Sequence, residues 1–260
     1  MQVGLCLPQF RDDAKAAIAT ARAAEAAGID GVFVFDHLWP MGRPDRPALS
    51  CHVLLGALAA ETERLVLGPL VARVSVLPDA VLVNMMATLH RMLGDRLLVT
   101  LGTGDRLNRD ENEAYGVGYP PVADRVASLV RCCESLRAAG VATWVAGRSE
   151  AVRGAAAASD GLNLWGVDPS TFGAEVAGVR PLPVSWGGQV LVGRTEAEAA
   201  EKLARFGHRP DLVHGTVEDL GRHLAALAEA GASWAVCCPL DVGTDPAAAD
   251  LVAEAAAAAR

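Results

Sequence analysis

The chain has 260 residues, of which 52% are hydrophobic and only 5% aromatic, and its formal net charge is -8. This negative charge, with no basic run to offset it, argues against nucleic acid as a partner. The length suits one α/β barrel, and no Ser- or Pro-rich linker divides the sequence. We therefore expect a single domain over residues 1–260 with a large aliphatic core.

The first residues, Met1 to Pro8, contain neither the basic region nor the small-residue cleavage site of a signal peptide, and no apolar stretch approaches membrane-spanning length. The six cysteines form no CxxC spacing and several lie in apolar runs, which favours buried free thiols. The adjacent pairs Cys132-Cys133 and Cys237-Cys238 are alternatives as redox sites, but neighbouring side chains on one element point apart. No His and carboxylate set has metal-ligand spacing. The sequence predicts a cytoplasmic protein without a metal.

In chain order, short apolar runs alternate with Ala-rich amphipathic segments. The predicted strands lie near residues 3–8, 31–36, 65–71, 96–102, 142–146, 161–165, 184–192 and 233–239. The predicted helices lie at 12–27, 50–62, 78–92, 122–139, 149–159, 195–206, 216–230 and 246–259. This strand-then-helix repeat predicts an α/β protein with the (β/α)8 TIM-barrel fold. A doubly wound open sheet is the alternative, although strand one ends in Leu7-Pro-Gln-Phe10 rather than in a glycine-rich fingerprint.

Polar residues collect where the predicted strands end. The second strand delivers Asp36, His37 and Trp39, the fourth ends in Gly102-Thr-Gly-Asp105, and the fifth ends in Ala146-Gly-Arg-Ser149. In a parallel barrel these ends share one face, where such enzymes keep their chemistry. We therefore expect an active site at this face. The alternative for Asp36-His37 is a helix cap beside a histidine whose hydrogen bonds are satisfied in the core.

Six stretches carry a family resemblance. They are Ala24-Glu-Ala-Ala-Gly-Ile-Asp-Gly-Val-Phe-Val-Phe-Asp-His37, Arg64-Leu-Val-Leu-Gly68, Ala87-Thr-Leu-His90 with Gly94-Asp-Arg-Leu97, Leu101-Gly-Thr-Gly104, Trp144-Val-Ala-Gly147 and Ser159-Asp-Gly-Leu-Asn163. Together, in this order and spacing, they resemble the bacterial luciferase-like superfamily of flavin and deazaflavin oxidoreductases. The resemblance runs from residue 1 to about residue 235.

The segment Gly102-Thr-Gly-Asp-Arg-Leu-Asn108 is similar to the branch of that superfamily that uses the deazaflavin coenzyme F420. In that branch a glutamate usually follows the second glycine, and Asp105 replaces it here with a carboxylate one methylene shorter. The resemblance implies hydride transfer between F420 and a small organic substrate. FMN, in a monooxygenase or reductase of the same fold, is the alternative coenzyme.

Hydride transfer to or from an alcohol or carbonyl also needs a proton acceptor or donor. His37 suits either task because an unperturbed imidazole titrates near neutrality. Asp36 would fix the tautomer of His37 or contact the coenzyme ring, Asp105 would be a second acid or base, and Trp39 would wall the pocket against water. With FMN, His37 would instead assist oxygen chemistry by hydrogen bonding.

The coenzyme phosphate needs an anion site, and residues Ala146, Gly147, Arg148 and Ser149 supply a turn that opens a helix directly after a strand. An ordinary strand-to-helix turn is the alternative. The resemblance places a phosphate contact at this turn and another near Thr103 and Gly104. It also implies a cis peptide bond at about Leu70-Val71, in a bulge that backs the coenzyme ring.

Family members usually carry a long excursion between the fourth helix and the fifth strand, whereas here Leu136-Arg-Ala-Ala-Gly-Val-Ala-Thr-Trp144 crosses almost directly. Shortened loops predict an open site, a site covered by a partner subunit, or a degenerate barrel that binds a flavin or nothing and serves as an interaction or storage protein. Family habit favours a homodimer. The substrate would be a small molecule, and no membrane contact is expected.

Overall fold

The structure, a computed structural model, describes residues 1–40, 42–245 and 247–260. Its strands are β1 (Gln2–Cys6), β2 (Gly31–Val34), β3 (Val66–Arg73), β4 (Val99–Gly102), β5 (Thr143–Ala146), β6 (Gly161–Trp165), β7 (Val184–Gly193), β8 (Val213–Thr216) and β9 (Trp234–Pro239). Its helices are α1 (Lys15–Ala26), α2 (Cys51–Glu61), α3 (Asp79–Leu93), α4 (Arg109–Ala114), α5 (Val122–Ala138), α6 (Glu150–Ala155), α7 (Pro169–Val179), α8 (Glu196–Phe206), α9 (Val217–Glu229) and α10 (Ala248–Ala258). Among the described residues, no helix is both long and apolar enough to cross a bilayer.

Eight of these strands close into a parallel ring. Strands β1 to β7 pair in chain order, β9 pairs with β7, and β9 returns to pair with β1 through partners such as Gly4 and Val236. Helices connect the strands on the outside, where their apolar faces pack against the outer faces of the strands. The predicted (β/α)8 TIM barrel is confirmed. The predicted eighth strand at 233–239 is β9.

The inside of the ring is filled by side chains rather than by a channel. Phe33, Trp144 and Trp234 lie in one apolar cluster with Leu70 and Leu98, and the rings of Phe33 and Trp234 meet edge to face at 5.7 Å between centroids. Only 5% of the residues are aromatic, and these three lie in the barrel interior. The interior is therefore a packed core, as in other barrels of this kind.

Three elements were not predicted from the sequence: strand β8 and helices α7 and α4. Strand β7 is twice the usual length, and its last residues leave the ring to pair with β8, from Val190 with Val213 to Gly193 with Thr216. Strand β8 is short and contains polar residues, which hides its pattern. Helix α7 had a start signal, because the side chain of Asp168 accepts a hydrogen bond from the amide of Thr171 and Pro169 follows it. Helix α4 lies in a charged run.

The connection from α5 to β5 is as direct as the sequence predicts. Helix α5 ends at Ala138 and β5 begins at Thr143. Conversely, the chain between β4 and α5 is long, and it contains both a short 3-10 turn (Arg106–Asn108) and α4. The mouth is therefore covered on this side by the segment after β4.

Substitution of Gly68 in β3 tests how tightly this strand packs against its neighbour. A Cβ at this position would lie 1.9 Å from the carbonyl oxygen of Leu98 on the neighbouring strand. We expect Gly68→Ala to lower the free energy of unfolding by about 3 kcal/mol, because backbone must move to accept the methyl group. Chemical denaturation measures the change.

The control is Gly56→Ala in α2, where a Cβ meets no atom within 4 Å. It should raise the free energy of unfolding by about 0.5–1 kcal/mol, since alanine is the better helix former. Equal stability of the two variants would contradict the strand packing described above.

Candidate active site at the carboxyl end of the barrel

The second strand delivers its polar residues to the mouth of the barrel. All four residues of β2 are buried, and the chain continues through Phe35 to Asp36, which is 6% exposed, and His37, whose side chain is 16% exposed. An apolar strand followed by polar residues in this way brings an imidazole to the surface without exposing the strand. His37 is thus partly open to solvent at the face where the sequence predicts the site.

A buried ion pair lies behind His37. Arg73 is the last residue of β3 and Glu111 lies in α4, and their side chains are only 4% and 1% exposed. Their closest atoms, Arg73 Nη2 and Glu111 Oε1, are 3.1 Å apart, and Arg73 Nη1 also donates to Asn112 Oδ1 at 3.1 Å. A charge this deeply buried is tolerated only when it is paired and hydrogen-bonded. The pair ties the segment after β4 to the barrel.

Glu111 also holds His37. The Oε2 atom of Glu111 lies 3.1 Å from Nδ1 of His37, and the amide of Leu38 donates to Oε1. Burial by itself would raise the pKa of Glu111, but the hydrogen bonds from His37 and Leu38 and the charge of Arg73 outweigh it and lower the pKa below its usual value. A carboxylate only accepts hydrogen bonds, so Nδ1 must carry the proton.

This geometry leaves Nε2 as the reactive nitrogen of His37. Within residues 1–40, 42–245 and 247–260, Nε2 makes no hydrogen bond. Phe10 and Phe35 pack against the ring, each with its centroid 6.3 Å from that of the imidazole. The arrangement can present one unprotonated ring nitrogen to a ligand.

Asp36 bonds to Arg73 instead of to the ring of His37, so it does not fix the tautomer of that ring, which is one of its two expected roles. Its Oδ2 atom accepts a hydrogen bond from the amide of Arg73 at 3.0 Å, and its carbonyl accepts one from Nε of Arg73 at 2.6 Å. Asp36 therefore fixes Arg73 in place, and Glu111 occupies the position beside the imidazole that the sequence assigns to Asp36.

Asp105 begins the segment after β4 and is exposed. Its Oδ1 atom accepts a hydrogen bond from the amide of Leu107 at 2.8 Å, and its own amide donates to Oδ1 of Asn108 at 2.8 Å, which closes a capping box. Next to it, the carbonyls of Thr103 and Gly104 accept hydrogen bonds from Nη1 of Arg125. These residues lie at the mouth, and their contacts here build the turn itself.

Aromatic side chains surround the rest of the mouth. Phe35 packs against Trp165 at the end of β6, with 6.1 Å between centroids. Trp39 packs against Tyr115 at 5.8 Å, and the hydroxyl of Tyr115 donates to the carbonyl of Leu38 at 3.2 Å. Trp39 is thus held as a wall of the mouth by the segment after β4.

The two backbone features implied by the resemblance lie on β3 and β5. The peptide bond between Leu70 and Val71 is cis, and the pairing of β3 with β4 shifts register between Leu70 and Ala72. After β5, Gly147 has φ +144° and the Oγ atom of Ser149 accepts a hydrogen bond from the amide of Val152 at 3.3 Å. The side chain of Arg148 is exposed beside this turn.

Sequence reasoning missed Arg73 and Glu111. Glu111 stands in the run Arg109-Asp-Glu-Asn-Glu113, which has the composition of a solvated helix. The sequence signal for Arg73 is its position, because a lone arginine at the end of an apolar strand needs a buried partner. That partner comes from a segment 38 residues away in the sequence.

The model of one protein family, described as luciferase-like monooxygenase, matches residues 1–140, more than half of the chain. The chain belongs to the luciferase-like monooxygenase family. The resemblance of the six sequence stretches is thereby confirmed, and the matched region contains His37, Arg73 and Glu111.

Among curated relatives of this luciferase-like protein is the F420-dependent glucose-6-phosphate dehydrogenase of Nakamurella multipartita, 34% identical over 110 residues, which are 42% of this chain and 32% of the relative. The match thus spans about a third of the relative's length.

Two solved structures share the fold. An F420-dependent secondary alcohol dehydrogenase in complex with an F420-acetone adduct has a TM-score of 0.82 at 18% identity, with 100% of this chain and 99% of that chain covered. The oxygenating constituent of 3,6-diketocamphane monooxygenase from Pseudomonas putida, in complex with FMN, has a TM-score of 0.71 at 14% identity, with 98% and 96% covered.

The lowered pKa of Glu111 makes a prediction about stability. Its contribution is fully present above the unfolded-state pKa of a glutamate and is lost as the pH falls through the lower folded-state value. Glu111→Gln should therefore cost about 3 kcal/mol at pH 7, because Arg73 keeps a buried charge without its partner, and the difference from the wild type should shrink below about pH 4. Denaturant unfolding at a series of pH values measures it.

The matched control is Glu113→Gln on the exposed side of the same helix, which should change stability by less than about 0.5 kcal/mol at either pH. A difference between wild type and Glu111→Gln that does not depend on pH would contradict this account, because the pKa of Glu111 would then be the same in the folded and the unfolded protein.

Proposed function

We propose that the chain is an F420-dependent oxidoreductase that moves hydride between the coenzyme and a small organic alcohol, carbonyl or activated alkene. The observation that carries the proposal is His37, presented at the barrel mouth by the buried Arg73–Glu111 pair with Nδ1 engaged and Nε2 free of a protein partner among the described residues. The F420-dependent relative and the F420-dependent structural neighbour support the choice of coenzyme.

The residues at the mouth fit such a coenzyme by their chemistry. Phe35 and Trp165 offer flat apolar surface near His37 for an aromatic ring system. We assign Leu70 and Val71, with Asp36 and Trp39, to the ring. The turn Ala146, Gly147, Arg148 and Ser149 opens α6 with an exposed guanidinium, and we assign it, with Thr103 and Gly104, to the phosphate. These assignments rest on the resemblance and on placement at one end of the barrel.

The bound coenzyme would supply the acceptor or donor of hydride. The protein must then move the accompanying proton, and Nε2 of His37 can take it from a substrate alcohol or return it to a carbonyl. Glu111 accepts the proton of Nδ1 in a hydrogen bond, while Arg73 keeps Glu111 ionised. Asp105 is assigned as the second acid or base, although its Oδ1 atom accepts the amide of Leu107. Trp39, backed by Tyr115, limits the access of water.

Coenzyme titration tests this proposal. Purified protein should bind F420 with a micromolar dissociation constant, measured by fluorescence, and His37→Ala should retain that affinity while the single-turnover rate of hydride transfer falls about 10²–10⁴-fold. His90→Ala, in the last turn of α3, is the control and should leave both quantities unchanged.

Three results would contradict part or all of this proposal. Binding of FMN in place of F420 would favour the monooxygenase or reductase alternative, in line with the FMN-bound neighbour. Binding of neither coenzyme would favour the degenerate barrel. Unchanged turnover in His37→Ala would remove His37 from the mechanism.

We also propose a cytoplasmic homodimer acting on a small molecule, with neither nucleic acid nor membrane as a partner. The six unpaired thiols suit a reducing compartment. Helices α2 and α3 expose Val53, Val81 and Met92, which are 73%, 44% and 55% exposed. Apolar side chains on two neighbouring helices are a candidate contact surface.

The dimer proposal predicts that Val53→Asp combined with Val81→Asp produces a monomer in sedimentation velocity, because two buried carboxylates would face each other across the two-fold axis. Val122→Asp changes an equally apolar residue, 57% exposed, at the start of α5, and should leave the dimer intact. A monomeric wild-type protein would contradict the proposal.

A further inference from the structure

Two cysteines lie side by side at the top of the barrel interior, on the strands that close the ring. Gly4 of β1 is the partner of Val236 of β9, and both face the interior, since a Cβ on Gly4 would lie 2.6 Å from Phe33 and 3.3 Å from a methyl group of Val236. Side chains alternate along a strand. Two residues further on, Cys6 and Cys238 must therefore face the interior together, one layer nearer the mouth.

The packing clusters confirm which way each residue points. Cys6 belongs to the interior cluster with Phe33 and Val236, and Cys238 packs against that cluster. Cys237 belongs instead to the cluster between strands and helices, so the adjacent cysteines on β9 face opposite sides. The side chain of Cys238 lies close enough to that of Cys6 to affect its pKa. Cys6 is buried, whereas Cys238 is partly exposed.

The strand spacing also suits a covalent bond. Neighbouring strands run about 4.8 Å apart, and Cα atoms joined by a disulfide are usually about 4.4–6.8 Å apart. All six cysteines are free. Cys132 and Cys133 are poorly placed to bond to each other, because they are consecutive residues of α5 whose side chains diverge around the helix.

We propose that Cys6 and Cys238 form a redox-active dithiol at the floor of the barrel mouth, which hydrogen peroxide converts into a disulfide joining the first and last strands. This site is distinct from the His37 network and does not depend on the proposed coenzyme.

The two thiols have different parts in the reaction. Burial, together with the neighbouring Cys238 side chain, raises the pKa of Cys6 well above its usual value, so Cys6 is a thiol until the second step. The partly exposed Cys238 thiolate attacks peroxide, the O–O bond breaks, and a sulfenic acid and hydroxide result. That hydroxide takes the proton of Cys6, and the resulting Cys6 thiolate attacks the sulfur of Cys238 and displaces a second hydroxide, which takes up the proton that Cys238 lost. Overall, two thiols and one peroxide give one disulfide and two waters.

The other cysteines serve as internal references. Burial raises the pKa of Cys132 to about 11 and that of Cys133 to about 12. Cys237, next to the proposed site, is fully buried on the other side of the sheet, and burial raises its pKa to about 12. These thiols should resist peroxide under conditions that oxidise Cys238.

The test is mass spectrometry of the folded, full-length protein after brief treatment with hydrogen peroxide. The intact mass should fall by about 2 Da, the difference of two hydrogens, and proteolysis without reduction should yield one cross-linked peptide pair containing Cys6 and Cys238. Dithiothreitol should reverse both changes. A cross-link through Cys237, or oxidation of Cys238 to sulfinic acid while Cys6 stays free, would overturn the proposal.

Variants separate the two roles. Cys6→Ser should leave a sulfenic acid on Cys238 that dimedone traps, and Cys238→Ser should abolish both the cross-link and the trapping. Cys237→Ser is the matched control and should cross-link as the wild type does. The wild-type peptide map is decisive by itself, so a variant that fails to fold does not weaken the test.

Discussion

The buried pair of Arg73 and Glu111 is the interaction on which the proposed site depends. Each charge would be costly alone in the interior, and each is satisfied only because three separate segments meet there: the end of β2, the end of β3 and the helix after β4. Removing one partner would leave the other charge buried. The pair therefore specifies how the segment after β4 docks on the barrel, and with it the position of Trp39.

From that constraint the chemistry of His37 follows. The charge of Arg73 keeps Glu111 ionised, an ionised carboxylate accepts the proton of Nδ1, and Nε2 is then the nitrogen that can exchange a proton with a ligand. The barrel supplies the place, because the carboxyl ends of its strands share one face. The ion pair fixes the orientation of the His37 ring through Glu111. The carboxylate that holds the imidazole thus comes from a residue 74 positions away in the sequence rather than from the neighbouring Asp36.

The fold was predictable because apolar strands and amphipathic helices alternate along the whole chain. The polar residues after β2 were predictable as site residues because they directly follow a buried strand. Strand β8 was not predictable, since four residues including His214 and Gly215 carry no alternation. Glu111 was not predictable either, because its charged neighbours are typical of an exposed helix and its partner is distant in sequence. Asp105 has the more suggestive motif, but its contacts cap a turn. Local patterns therefore locate the mouth, whereas the choice of carboxylate depends on tertiary packing.

The central claim is that Glu111 fixes the tautomer of His37, and ¹⁵N NMR of histidine-labelled protein tests it most directly. The account predicts that in the neutral ring of His37 the proton resides on Nδ1 and Nε2 is bare, and that Glu111→Gln weakens this preference. A neutral ring with its proton on Nε2 and a bare Nδ1 in the wild-type protein would contradict it, because the carboxylate of Glu111 could not then accept a hydrogen bond from the ring.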